Sequence, residues 1–124
     1  MNQRNTLISG TALAALAVAI GAFGAHGLKD RLLSTGKTEI FELAVRYQMY
    51  HAFAMIFTGI LMGTFISNRF RYSAWSFLLG IVFFSGSLYT LSLTGIGTLG
   101  AITPIGGVLF ILGWVFQLLG ILKK

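Results

Sequence analysis

Residues 7–25 read LISGTALAALAVAIGAFGA, an apolar run without a single charged side chain. An α-helix needs roughly 20 such residues to cross about 30 Å of hydrocarbon. Three further stretches of similar length and character follow at Tyr47–Ser67, Tyr72–Leu93 and Ile102–Leu122. Within lipid every backbone amide must bond inside its own segment, which a helix achieves and an isolated strand does not. The expected fold is therefore all-α: one membrane domain over residues 1–124, with four transmembrane helices packed as a compact bundle.

Composition agrees with that reading. Of 124 residues, 56% are hydrophobic and 10% charged, and the mean hydropathy is +0.83, too few charges to clothe a water-soluble surface. Cysteine is absent, which removes disulfides and thiolate metal sites. A cleaved signal peptide is the competing account of the first run, because Arg4 precedes it and Ala22-Phe23-Gly24 resembles a cleavage site. The run exceeds a signal core of roughly 7 to 15 residues, and more spans follow.

Nine Lys and Arg against three acids give a net charge of +6, which in a soluble protein would suggest nucleic acid. Sorted by side, the charges suggest topology and anionic lipid heads instead. Four crossings place Arg4, Arg69, Arg71, Lys123 and Lys124 on one face, with no acid among them. The opposite face holds Lys29, Arg31, Lys37 and Arg46, offset by Asp30, Glu39 and Glu42. The positive-inside rule then puts both termini in the cytoplasm. Membrane lipids are the expected partners, nucleic acid is not, and a second copy or another membrane protein stays open.

Small residues mark helix faces built for close packing: Gly21 and Ala25 in the first span, Gly59-x-x-x-Gly63 in the second, and Gly106 and Gly113, followed by Gly120, in the fourth. Such stripes let backbones approach within a bundle or between copies. Gly95-Ile-Gly97-Thr-Leu-Gly100 spells a dinucleotide fingerprint, but it lacks the strand before it and the acid about 20 residues after it. With Pro104 nearby it reads as a tight turn between spans.

All three acids and both histidines fall between Gly24 and Met55. A short amphipathic helix, Leu28 to Ser34, is expected to lie in the membrane interface between helices 1 and 2 and to end at Gly36. The next helix starts near Thr38. At about 100° per residue, Glu39, Glu42, Arg46 and Tyr50 form one stripe, and Tyr47, His51, Met55 and Thr58 a neighbouring one. Glu42 and Arg46 stand at ion-pair spacing, and Asp30 stands four residues beyond His26, where it orients the imidazole if helix 1 continues that far. His26 and His51 lie at similar depth on adjacent helices, within reach of one ligand. The candidate site is thus His26, Asp30, Glu42, Arg46, Tyr47, Gln48, Tyr50 and His51. Its readings are a lipid headgroup or quinone, a bis-histidine haem, or another metal; the last has too few ligands, and the expectation is no metal and no resident cofactor. The bland alternative is a set of interfacial residues satisfied by backbone carbonyls. Ser85, Ser87 and Gln117 read as interhelical hydrogen-bonding groups.

Four segments carry a resemblance: GAFGAHGLKD (21–30), FELAVRYQMYHAFA (41–54), FSGSLYTLSLTG (84–95) and LGAITPIGGVLFILGW (99–114). In that order they are similar to the signatures of a small membrane family that groups bacterial YgdD-type proteins with animal transmembrane protein 256. The resemblance implies a four-helix plasma-membrane protein of unknown function, with His26, Arg46, Tyr47, Gln48, Tyr50, His51, Ser85, Gly86, Ser87 and Pro104 at matching places. It supplies no reaction. The residues themselves show no nucleophile with a base, no paired carboxylates in a span and no mid-membrane charge for a proton relay. A non-enzymatic membrane component is therefore favoured over a transporter or enzyme that uses the cluster for proton transfer.

Overall fold

The computed structural model describes residues 1–123, and among these every regular element is helical. Helix α1 spans Gln3–Ala25 and is capped by the Asn2 side chain, which accepts from the Asn5 amide at 2.8 Å. It ends because the chain turns back on Phe23, whose carbonyl accepts from the amides of His26 and Leu28. His26 is the C-cap and not a helical residue, so the helix does not extend through Gly27 and the expected register between His26 and Asp30 is lost. Helix α2, Lys29–Thr35, is the short amphipathic segment. Gly36 stops it at φ +68°, where its amide reaches back to the Leu32 and Leu33 carbonyls, an arrangement that favours glycine.

Helix α3 runs Thr38–Met62 and stops at Gly63, short of the expected Ser67, because the Gly63, Thr64 and Phe65 amides fold back on the Ile60 and Leu61 carbonyls. The third run is one rod in three parts: α4 (Arg69–Gly80), a π-helical turn at Ile81–Ser85, and α5 (Gly86–Thr94). A 3₁₀ turn at Gly97–Ala101 then leads to α6, Thr103–Leu122, with Pro104 in its first turn. The glycine triplet therefore forms the tight connection between α5 and α6.

Among the described residues three segments are long and apolar enough to cross a membrane: Gln3–Ala25, Arg69–Thr94 and Gly97–Leu122. Helix α3 has 25 residues, but Arg46, Gln48 and His51 lower the hydropathy of its first half. It is also the helix most enclosed by the others, with α1 packed along one side and the α4–α5 rod along another, while α6 packs on α4 and on the π turn. The outward faces carry exposed Val18, Phe23, Phe57, Val82, Ile111 and Leu118, an apolar belt far larger than soluble monomers expose.

Glycine sockets set these contacts. A methyl at Gly113 would stand 2.5 Å from the Phe77 ring, one at Gly120 2.8 Å from Phe70, and one at Gly80 2.4 Å from Phe110. At Gly106 it would meet backbone, 2.3 Å from the Phe84 nitrogen. On the α1–α3 side, Gly59 receives Leu7, Gly24 receives the Phe41 ring, Gly21 faces Val45 and Gly63 faces the Gln3 side chain. The stripe through Gly106, Gly113 and Gly120 is thus filled by aromatic residues of the same chain. Ala25, expected at a helix contact, is exposed.

Candidate functional site

The buried stripe of α3 carries polar groups that are satisfied one by one. Gln48 Nε2 donates to the Leu13 carbonyl of α1 at 2.9 Å, and Gln48 Oε1 accepts from the Tyr89 hydroxyl of α5 at 2.7 Å. His51 Nδ1 lies 2.8 Å from the Tyr47 carbonyl, which only accepts, so Nδ1 carries the proton. His51 Nε2 then accepts from Trp114 Nε1 of α6 at 3.2 Å, and its ring stacks on Phe110 with centroids 3.6 Å apart. Deeper along α3, Thr58 donates to the Ala54 carbonyl and accepts from Gln117 Nε2 at 2.9 Å. Ser85 reaches the Ala44 carbonyl at 2.7 Å from the π turn, and Ser87 meets Thr103 at 2.7 Å across the α5–α6 turn. Each unit closes on a backbone carbonyl, so each group ties one helix to another. With both ring nitrogens engaged, His51 as seated has no lone pair to offer a metal. Among the described residues no group of three or more His, Cys, Asp or Glu side chains stands close enough to hold a metal ion.

The residues expected to form one cluster are divided by this packing. Gln48 and His51 are buried inside, Tyr47 is half-buried against Phe84, and Tyr50 faces outward. His26 and Asp30 are both exposed. His51 turns toward α6, whereas His26 caps α1 on the far side of α3, so the two histidines do not share a pocket. Sequence reasoning missed Tyr89 and Trp114 as partners. The available signal was the face of α6 shared by Phe110, Gly113 and Gln117 at spacings of three and four, next to which Trp114 falls.

Glu42 and Arg46 belong to a different feature, a cleft of about 430 Å³ among α1, α2 and α3. Gly21, Gly24 and Ala25 form its α1 wall, while Leu32 and Leu33 of α2 and Phe41 and Val45 of α3 complete an apolar interior. Lys29, Thr38, Glu42 and Arg46 supply its polar groups. The small α1 residues leave this space: where Gly24 admits the Phe41 ring, Ala25 fills nothing. Thr38, the first residue of α3, keeps a buried hydroxyl with no hydrogen-bond partner. Glu42 and Arg46 are both exposed, and the ion pair expected from their spacing does not form. Exposed i, i+4 pairs contribute only about 0.3–0.5 kcal/mol, so little holds either side chain to the other. Chemically the cleft offers an apolar trough whose lining includes two cations, one carboxylate and a buried hydroxyl.

Residues 20–107 match the family described as Protein of unknown function (DUF423). The chain is 50% identical over 117 residues to a UPF0382 membrane protein of Staphylococcus epidermidis, covering 94% of each chain. It is 50% identical to one of Staphylococcus saprophyticus, covering 94% of this chain and 96% of that one. A Staphylococcus aureus relative is 47% identical over 94% of both. No solved structure matches.

Proposed function

The chain belongs to the DUF423 family of unknown function, whose relatives are named only as membrane proteins, and from that premise we propose that it is a non-enzymatic, four-span component of the plasma membrane that binds an amphiphile. The cleft among α1, α2 and α3 carries this reading. A trough of about 430 Å³ whose lining is apolar apart from Lys29, Thr38, Glu42 and Arg46 suits a molecule with a polar head and an apolar body, a lipid or an isoprenoid quinone. The unpartnered Thr38 hydroxyl supports it, because a buried hydroxyl without a partner costs roughly 1–3 kcal/mol that a ligand acceptor or donor would recover.

Helix α3 is the fourth span in this reading. Its 25 residues extend about 37 Å at 1.5 Å per residue, enough for the hydrocarbon layer. Its polar side chains either face the interior, as Gln48 and His51 do, or stand within its first turns, as Glu39, Glu42 and Arg46 do. Helix α2 then lies in the interface, with Leu32 buried against the bundle and Lys29, Asp30 and Arg31 exposed. The acid-free set Arg4, Arg69, Arg71 and Lys123 favours both termini in the cytoplasm, so the cleft opens to the outer leaflet.

The test is a cleft-filling variant. Ala25→Trp places an indole in the trough from an exposed position, leaving the helix contacts intact. Wild type purified in mild detergent is expected to retain lipid or quinone near one per chain by mass analysis, and Ala25→Trp to retain several-fold less at an unchanged elution volume. Equal retention would overturn the proposal.

A further inference from the structure

We propose that the amphiphile is an amino-phospholipid, a glycerophospholipid whose head carries both a phosphate and a primary ammonium, as phosphatidylethanolamine does. This rests on the cleft reading above and names the chemistry of its ligand. The observation behind it is the order of charges along α3. Thr38 opens the helix at the membrane surface, Glu42 follows one turn deeper and Arg46 a turn deeper again, each step about 6 Å along the axis. At the level of Arg46 the cleft closes where Val45 faces Gly21 of the antiparallel α1, and below Arg46 the outward face of α3 continues with exposed Tyr50, Phe53 and Phe57. From water inward the site therefore presents a carboxylate, a guanidinium and then hydrocarbon.

An amino-phospholipid in a leaflet presents the complementary series in the same order: ammonium outermost, phosphate beneath it, acyl chains below. Seated in the cleft, its ammonium donates to the Glu42 carboxylate and its phosphate accepts from the Arg46 guanidinium. Lys29, on the α2 wall of the same cleft, supplies a second cation to the phosphate. Charge-assisted bonds of this kind are roughly twice as strong as neutral ones. The open Glu42–Arg46 spacing fits this arrangement, since each side chain is left to a ligand group and not to the other. Phosphatidylglycerol satisfies Arg46 and Lys29 but leaves Glu42 beside an anion with no counter-charge. Phosphatidylcholine brings the right charge, but its trimethylammonium has no N–H to donate.

The experiment uses the full chain, delipidated in detergent and offered equimolar phosphatidylethanolamine, phosphatidylglycerol and phosphatidylcholine of identical acyl chains, with adducts read by native mass spectrometry. Wild type is expected to retain phosphatidylethanolamine several-fold over the other two. Glu42→Gln, at an exposed position that leaves the fold alone, should reduce phosphatidylethanolamine to the level of phosphatidylglycerol, whereas Arg46→Gln should lower all three. Wild type that holds phosphatidylglycerol as well as phosphatidylethanolamine, or a preference that Glu42→Gln does not move, overturns the head-group assignment. If Ala25→Trp still abolishes adducts in that case, the cleft reading survives; adducts indifferent to Ala25→Trp overturn both.

Discussion

Replacing Gly106 by alanine should weaken the fold, whereas the same replacement one residue later should not. A methyl at Gly106 would stand 2.3 Å from the Phe84 nitrogen, 2.6 Å from its Cβ and 2.7 Å from its Cα, whereas a methyl at Gly107 meets nothing within 4 Å. Ordinary contact begins near 3.4 Å, so α6 must retreat from the π turn by about 1 Å, the difference between 3.4 and 2.3. Backbone cannot swing aside as a side-chain tip does. The retreat also loosens the Phe110–Gly80 and Phe77–Gly113 contacts on the same interface. Overpacking of this kind costs about 1–3 kcal/mol. Both variants share the gain of about 0.5–1 kcal/mol from replacing a helical glycine, so the difference between them isolates the steric cost. Reversible unfolding in mixed micelles, followed by tryptophan fluorescence, should place Gly106→Ala about 1–3 kcal/mol below Gly107→Ala. Equal stabilities would refute the close approach of α6 to the π turn.

Two further packing claims are testable in the same assay. Gln48→Leu and Tyr89→Phe both break the bond between α3 and α5, and a double-mutant cycle should give a coupling of about 0.6 kcal/mol, with an upper range near 1.7; a coupling of zero removes that bond from the native state. Gly24→Ala places a methyl 2.2 Å from Phe41 Cε1 and should destabilise by about 1–3 kcal/mol. Because the obstacle is one aromatic ring, Phe41→Leu in the same chain should recover much of the loss, and a purely additive double variant would show that the ring is not the obstacle.

The helices were legible because their signals are local. Gly36 marks a helix end by its left-handed backbone, and the stripe Tyr47, His51, Met55, Thr58 is the inward face of α3 that helical periodicity implies. Glu39, Glu42, Arg46 and Tyr50 form the outward face on the same grounds. What periodicity does not contain is which neighbour a face meets. Similar depth pairs His51 with His26, yet depth is shared by every helix crossing that layer, and α6 supplies Trp114 to the ring instead. Glu42 and Arg46 have the spacing of an ion pair but line a cleft whose existence depends on where α2 folds back. The cleft itself is walled by Gly21, Gly24 and Ala25, and whether such small residues border a cleft or are wholly covered depends on where α2 and α3 pass, which no local pattern records.

The claim on which the rest depends is that α3 crosses the membrane in spite of its polar first half. The chain has no cysteine, so single reporters at exposed Ser34, Asn68 and Thr98 can be labelled one at a time with a membrane-impermeant thiol reagent on intact cells. With four spans and cytoplasmic termini, Ser34→Cys and Thr98→Cys label from outside, and Asn68→Cys labels only after permeabilisation. Ser34→Cys and Asn68→Cys labelling alike, with Thr98→Cys opposite, would mean that α3 does not cross.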